Sequence, residues 1–205
     1  MHMNSRMGKA PNAMSYRSRL IQWSGIAAIT GGTMFMVKAA VILFGGNQPP
    51  LLYGAAPLAF GISLLLLGTL LVGRLAHSGR ILAFMTIVAS GSYVLMNVLF
   101  NRELAPTVES VTALIAGFGP FVALILHGLA SRRQWPSLAV WKIGPFVVAS
   151  LYPLSVLAMA PVALIIDLDG ATGERLIELP ILLIGAGWAA FGCSLLASPR
   201  WIQRP

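Results

Sequence analysis

Lys38 is the residue of this chain that most directly suggests a polar site. It lies in an apolar run, Leu20–Phe44, six residues before the end of that run. On a helix this spacing is about 9 Å, so the ammonium group must be paired or must reach a polar surface along its stem. A cation in such surroundings pairs with an acid or binds an anionic ligand.

Three acids are candidate partners for Lys38. Asp167 is the first choice, because it follows the fifth apolar run on the side where the first run also ends. Glu178 and Glu103 are the alternatives. A lysine that snorkels to the surface without a partner is an equally good explanation.

Two further polar residues can extend this site. Asn97 lies one turn before the end of the third apolar run, and Tyr93 precedes it by four residues, which places both on one helix face. We therefore expect a ligand-binding or intramembrane polar layer of Lys38, Asn97, Tyr93 and Asp167. A hydrogen bond between helices is the more common role for a lone asparagine such as Asn97.

Prolines distinguish the fifth apolar run, where Pro145, Pro153 and Pro161 recur at intervals of eight. Each interior proline removes a backbone donor and collides with the preceding turn. We expect Pro153 and Pro161 to kink the helix and to act as hinges beside a cavity. A static kink is the alternative, and the frequency of proline in membrane helices favours it.

The remaining reactive residues form no recognisable centre. His127 has no second histidine in an apolar run, and Cys193 is the single cysteine. The sequence holds no spacing typical of metal ligands and no nucleophile motif. We predict no catalytic residues, no metal and no cofactor, and an enzyme is the weakest of the function classes.

Six apolar runs have to position these residues. They are Leu20–Phe44, Leu51–Val72, Ile81–Phe100, Val111–Leu129, Val140–Ile166 and Leu179–Leu196. Each is about as long as a bilayer needs, and only 10% of the chain is charged against about 25% in a soluble domain. Continuous apolar stretches exclude the alternating strands of a barrel. The sequence predicts an all-α polytopic membrane protein whose short loops join six transmembrane helices into three antiparallel hairpins.

Charges indicate the orientation of these helices. If the chain crosses six times, eleven of its 14 basic residues fall on one side and only Arg102 and Arg175 on the other. The positive-inside rule then places both termini in the cytoplasm. The predicted organisation is a polar, basic tail over residues 1–19, a membrane domain over residues 20–198 and a short tail over residues 199–205.

The expected partners follow from charge and from small residues. Flanking positions account for the net charge of +8, so we expect the lipid bilayer and no nucleic acid as partner. Small residues four apart predict close packing of helices 1 and 6, with each other, with other membrane subunits or in self-association. These pairs are Ala27/Gly31, Ala28/Gly32, Gly185/Ala189 and Ala189/Cys193. The predicted location is a plasma membrane, with a bacterial inner membrane favoured.

Two functions fit these features. The first is a small, non-catalytic subunit or accessory partner of a larger membrane complex, which the short loops and small-residue faces favour. The alternative is a transporter or channel for a small solute, with a polar site near Lys38 and a proline-kinked helix 5. A chain that is stable only with partners indicates the subunit, whereas a cavity at Lys38 indicates the transporter.

Overall fold

The computed structural model describes residues 13–102, 104–134, 139–165 and 171–197, and this part of the chain is helical apart from short connections. Its α-helices are α1 (Ala13–Leu43), α2 (Pro50–Thr69), α3 (Arg74–Tyr93), α4 (Pro106–Gln134), α5 (Ala139–Ile165) and α6 (Ala171–Ala197). A π-helical segment, Val94–Leu99, directly follows α3. The prediction of an all-α protein with six helices is confirmed for the described residues.

Five of the helices are long and apolar enough to cross a bilayer. Their candidate spans are Tyr16–Leu43, Pro50–Thr69, Arg74–Leu99, Pro106–Gln134 and Glu178–Ala197. Helix α5 has 27 residues, but its apolar part within the described ranges, Ile143–Met159, is shorter. Helices of this length and composition are compatible with an integral membrane protein.

Several helices begin earlier than the apolar runs predict. Helix α6 begins at Ala171, inside a segment that the sequence suggests is a loop, and α1 begins at Ala13 rather than Leu20. Helix α4 begins at Pro106, a residue suited to the first helical position because its missing N–H has no helical partner there. An apolar run shows only which part of a helix is apolar. The helical hydrogen bonds of the backbone continue beyond the run, through polar and charged residues. The connections are therefore shorter than expected.

The six helices form a closed ring in the order of the chain. Each packs against the next, α6 returns to pack against α1, and α2 also contacts α4. Helices α1 and α2 run antiparallel: Ser24 donates a hydrogen bond to the carbonyl of Ser63 at one end, and Lys38 lies over the ring of Tyr53 at the other. We call these the Ser24 end and the Lys38 end of the bundle.

Four glycines form the contact between α1 and α6, which we call the glycine seam: Gly25, Gly32, Gly185 and Gly192. A Cβ added to Gly32 would collide with the carbonyl oxygen of Gly185, and one added to Gly192 would collide with that of Gly25. The predicted close packing of helices 1 and 6 is confirmed, and the neighbour of each is the other helix of the same chain. Cys193 is exposed and does not belong to the seam.

Aromatic side chains fill the core between α2, α4 and α6. Trp188 is fully buried and stacks on Phe60, with ring centroids 4.2 Å apart and an interplanar angle of 17°. Phe121 and Phe191 meet the Trp188 ring edge-on. Such contacts add to the energy of simple burial, so this cluster fixes α6 relative to α2 and α4.

Candidate functional site: a buried ion pair beside a small pocket

Lys38 of α1 and Glu178 of α6 form a buried ion pair. The ammonium Nζ donates to Oε1 at 2.9 Å and to Oε2 at 3.1 Å. The two side chains are only 4% and 9% exposed. Since removing either charge from water is costly, each group offsets part of the cost of burying the other. Lys38 is therefore paired in this structure, and its partner is the acid that sequence reasoning placed second.

The glycine seam brings the two charged residues together. Lys38 lies six residues after Gly32, and Glu178 lies seven residues before Gly185. Because α1 and α6 run antiparallel along the seam, both steps lead toward the same end of the bundle. Glu178 lies about 10 Å inside the start of α6, at 1.5 Å per residue from Ala171. The early start of α6 therefore places this acid within a helix instead of in a loop.

Two tyrosines continue the site toward α3. The Nζ atom of Lys38 lies 5.6 Å from the centroid of the Tyr53 ring, within the range of a cation–π contact. The ring of Tyr93 lies 5.2 Å from that of Tyr53. Tyr93 is thus connected to Lys38 through Tyr53, a residue that sequence reasoning did not identify.

A pocket of about 80 Å³ lies beside the ion pair. It is lined from four helices, by Phe35 and Lys38 of α1, Tyr53 and Pro57 of α2, Ala113, Ala116 and Gly117 of α4, and Ile181 of α6. Its volume equals that of about two to three waters in the liquid. Lys38 contributes the charge at its wall, so the pocket combines one cationic group with mostly apolar surface.

Two of the helices that line the pocket carry an interior proline, Pro57 in α2 and Pro120 in α4. Pro57 has no N–H to bond the carbonyl of Tyr53, and Pro120 has none to bond the carbonyl of Ala116. Both Tyr53 and Ala116 line the pocket. Sequence reasoning missed these positions, although the signal was present: a proline inside a helix identifies the residue four before it as one whose carbonyl lacks its usual helical donor.

A smaller pocket of about 10 Å³ lies on the other side of Tyr53, toward α3. The two pockets share Tyr53, Ala113 and Ala116 in their walls. Ser90 lines the smaller one, and its buried hydroxyl has no hydrogen-bond partner within the described part of the chain. The Ser90 hydroxyl is thus a buried polar group close to the Tyr53 ring, although the surface of the smaller pocket itself is apolar.

Asn97 uses its side chain within its own helix. Its Nδ2 lies 3.4 Å from the carbonyl of Tyr93, to which it donates. Asn97 lies in the π-helical segment Val94–Leu99, a kind of turn that is frequent at functional sites. The structure gives Asn97 a local contact with Tyr93, and its place in the predicted layer with Lys38 remains a prediction.

Three other predicted residues have separate outcomes. Pro153 and Pro161 are exposed, and α5 is continuous through both. A single structure does not show movement at either residue, and their role as hinges remains a prediction. Asp167, the first choice as partner of Lys38, lies outside the described residues, as does Glu103. The partner that the structure shows is Glu178.

His127 forms a second buried polar contact, near the Ser24 end. Its Nε2 lies 2.9 Å from the carbonyl oxygen of Leu64. A carbonyl can only accept, so Nε2 carries the proton. The imidazole fits between Gly68 and Gly79, where a Cβ on either glycine would collide with the ring. This close fit indicates a structural contact between α2, α3 and α4.

The chemistry available at the Lys38 site is binding by hydrogen bonds and charge. Within the described ranges no group of three or more histidine, cysteine, aspartate or glutamate side chains is placed to hold a metal. Fold and site together define a helical bundle with several candidate membrane-spanning helices and a buried ion pair beside a small pocket. Comparison with known proteins finds no family model, no curated protein and no solved structure that matches the chain.

Proposed function

We propose that this protein crosses a bacterial inner membrane six times, with both termini in the cytoplasm and its helices arranged as three antiparallel hairpins. The distribution of basic residues supports this topology. So does the packing of Gly79 against His127, because it puts the start of α3 and the end of α4, with Arg80 and Arg132, at one end of the bundle.

The topology is tested by labelling single cysteines. In a Cys193→Ala background, Ser78→Cys and Asn47→Cys lie at opposite ends of the bundle, and both native residues are exposed. A membrane-impermeant maleimide applied to intact bacterial cells should label Asn47→Cys and should label Ser78→Cys only after lysis. Labelling of Ser78→Cys from outside the cell would contradict the topology.

For the activity, we propose a transporter or channel for a small polar solute, with its binding site in the pocket beside Lys38. The pocket carries this proposal, because buried ionisable groups facing a cavity inside a membrane domain are typical of solute and ion pathways. Three of the small residues that favoured an accessory subunit, Gly32, Gly185 and Ala189, pack together within this chain. These three residues are therefore not an argument for an external partner.

The activity is tested in proteoliposomes. A panel of urea, glycerol, nitrate and guanidinium is presented to liposomes with and without the protein, and uptake is followed by tracer flux. At least one solute should enter faster with the protein, and the increase should be lost in the double variant Lys38→Met/Glu178→Leu. Arg133→Met, an exposed cation replaced in the same way, is the control and should retain the flux.

The accessory-subunit hypothesis is the second candidate. It is supported by a stripe of exposed apolar side chains along α3 that lipid or another subunit can cover: Ile81, Phe84, Met85 and Val88. A chain that purifies as a stable, monodisperse species and retains its helicity without partners contradicts this hypothesis. A chain that aggregates unless a defined membrane partner is co-expressed supports it over the transporter.

A further inference from the structure

A further pocket, of about 480 Å³, lies at the Lys38 end of the bundle, beyond the end of α3. The described residues that line it are Met96, Phe100 and Arg102. We infer that this pocket binds a phospholipid of the adjacent membrane leaflet, with the headgroup phosphate at Arg102 and an acyl chain against Met96 and Phe100. The inference requires only that the protein crosses a membrane, and it does not depend on the proposed transport activity.

The backbone at the end of the π-helical segment brings the three lining residues together. Asn101 has a φ of 48°, in the left-handed region where helices commonly end. The N–H of Arg102 donates to the carbonyl of Met96 at 2.8 Å, and the N–H of Phe100 donates to that of Leu95 at 3.0 Å. These bonds fold the chain back on its last helical turn, so Arg102 lies close to Met96 instead of continuing the helix.

Arg102 provides the polar part of the site. It is the only charged residue among those described as lining the pocket, and its side chain is exposed. In the described part of the chain no acid pairs with it. The guanidinium group is therefore able to turn toward a ligand, and its planar shape suits two parallel hydrogen bonds to a phosphate group.

The depth of Arg102 matches that of a lipid headgroup. The candidate span Arg74–Leu99 ends three residues before it. Arg102 thus lies where this helix would leave the hydrocarbon region, and a long basic side chain at such a position reaches the polar interface. Lipid phosphates lie in the same layer, so the cation and the anion meet without either entering the membrane core.

Met96 and Phe100 provide the apolar part. The surface of the pocket is mostly apolar, and its volume falls within the range of about 300–1,000 Å³ that is usual for ligand sites. Exposed Leu95 and Leu99 on the same segment extend this apolar surface toward lipid. A free phosphate ion would leave Met96 and Phe100 uncovered, whereas a phospholipid combines a phosphate with a chain that covers them.

Three probes separate the two parts of the ligand. Phosphatidylglycerol carries phosphate and chains, dioleoylglycerol carries chains alone, and glycerol 3-phosphate carries phosphate alone. Binding of each to the full-length protein in detergent is measured by native mass spectrometry over a range of probe concentrations. We expect phosphatidylglycerol to bind at least tenfold more tightly than either of the other two. Equal binding of glycerol 3-phosphate would indicate a site for free phosphate and overturn the inference, and equal binding of dioleoylglycerol would exclude the role of Arg102.

Variants of Arg102 and Phe100 test the location of the site. Arg102→Met should weaken the binding of phosphatidylglycerol about tenfold, the effect of losing a charge-assisted contact. The matched control is Arg175→Met, because Arg175 is exposed and lies beside Gly45 at the same end of the bundle, outside the described lining of this pocket. The control should bind phosphatidylglycerol as the wild type does. An equal loss in both variants would indicate general attraction by surface charge and reject the site.

Phe100→Ala removes part of the apolar wall and should weaken the binding of phosphatidylglycerol about fivefold. Phe44→Ala is its control: Phe44 is 91% exposed at the end of α1 and is not among the described lining residues, so its loss should have no effect. Unchanged binding in both Arg102→Met and Phe100→Ala would overturn the inference. That result would leave the proposed transport function intact, because solute uptake is measured separately and through another pocket.

Discussion

Gly32 of α1 and Gly185 of α6 lie so close together that a Cβ on either residue would collide with the carbonyl oxygen of the other. Lipid is as apolar as a leucine side chain, so helices in a bilayer associate through close van der Waals contact and weak Cα–H···O bonds instead of hydrophobic burial. The seam provides this contact for α1 and α6. It also sets the register that pairs Lys38 with Glu178.

Gly32→Ala should therefore destabilise the protein. The added methyl group meets backbone atoms, which cannot rotate away, so the helices must separate or shift. We expect a loss of about 1–3 kcal/mol in the free energy of unfolding, the usual cost of overpacking. The measurement is unfolding of the detergent-solubilised protein, followed by circular dichroism. Gly185→Ala should behave alike.

Gly91→Ala is the control for the seam. Gly91 lies in α3, and a Cβ built on it has no atom within 4 Å. Alanine also has the higher helix propensity, so this variant should be as stable as the wild type or slightly more stable. Equal stability of Gly32→Ala and Gly91→Ala would show that the seam is not tightly packed.

Lys38→Met should destabilise the protein more than the double variant Lys38→Met/Glu178→Leu, which removes both charges. The single variant leaves the carboxylate of Glu178 buried without a partner, which costs about 3–5 kcal/mol. In Lys38→Met/Glu178→Leu no charge is left, and the stability should return to near that of the wild type. The two single variants and the double variant form a cycle whose coupling is measured by chemical unfolding. Additive losses would mean that the pair contributes no coupling energy.

The positions of the six helices were predictable from the sequence, but some of their ends were not. Long apolar runs identify α1 to α6 because burial requires that pattern. The first eight residues of α6, Ala171–Glu178, include charged groups, so a search for apolar runs stops before them. The π-helical segment Val94–Leu99 has no proline or glycine to mark it, and it depends on packing that a single sequence does not show.

The sequence predicted a polar site at Lys38, but it identified only some of the residues that form it. Lys38 was identifiable as a charge inside an apolar run, and its pairing with one of three acids was one of two equally good explanations, the other being a lysine that snorkels without a partner. The choice of Glu178 depends on the crossing of α1 and α6 at the seam, a tertiary contact. Tyr53 was missed because an aromatic residue near a helix end is common, and its contact with Lys38 depends on the packing of α1 against α2.

His127 is expected to stabilise the bundle from the Ser24 end. His127→Ala removes the hydrogen bond to the carbonyl of Leu64 and leaves a cavity between Gly68 and Gly79. We expect a loss of about 2–4 kcal/mol in the free energy of unfolding. His77→Ala is the matched control: His77 is exposed, so its loss should change stability by less than about 0.5 kcal/mol. Similar values for the two variants would contradict the structural role of His127.

Substitution of Pro153 and Pro161 distinguishes a hinge in α5 from a static kink. Pro153→Ala restores a backbone donor for the carbonyl of Ala149, and Pro161→Ala does the same for Leu157. If α5 bends during transport, the doubly substituted helix should be stiffer, and the maximal rate of solute uptake in proteoliposomes should fall while the half-saturating concentration stays constant. Since neither proline lines the Lys38 pocket, a change in the half-saturating concentration is not expected. An unchanged maximal rate would assign both prolines to a static kink and remove α5 from the transport mechanism.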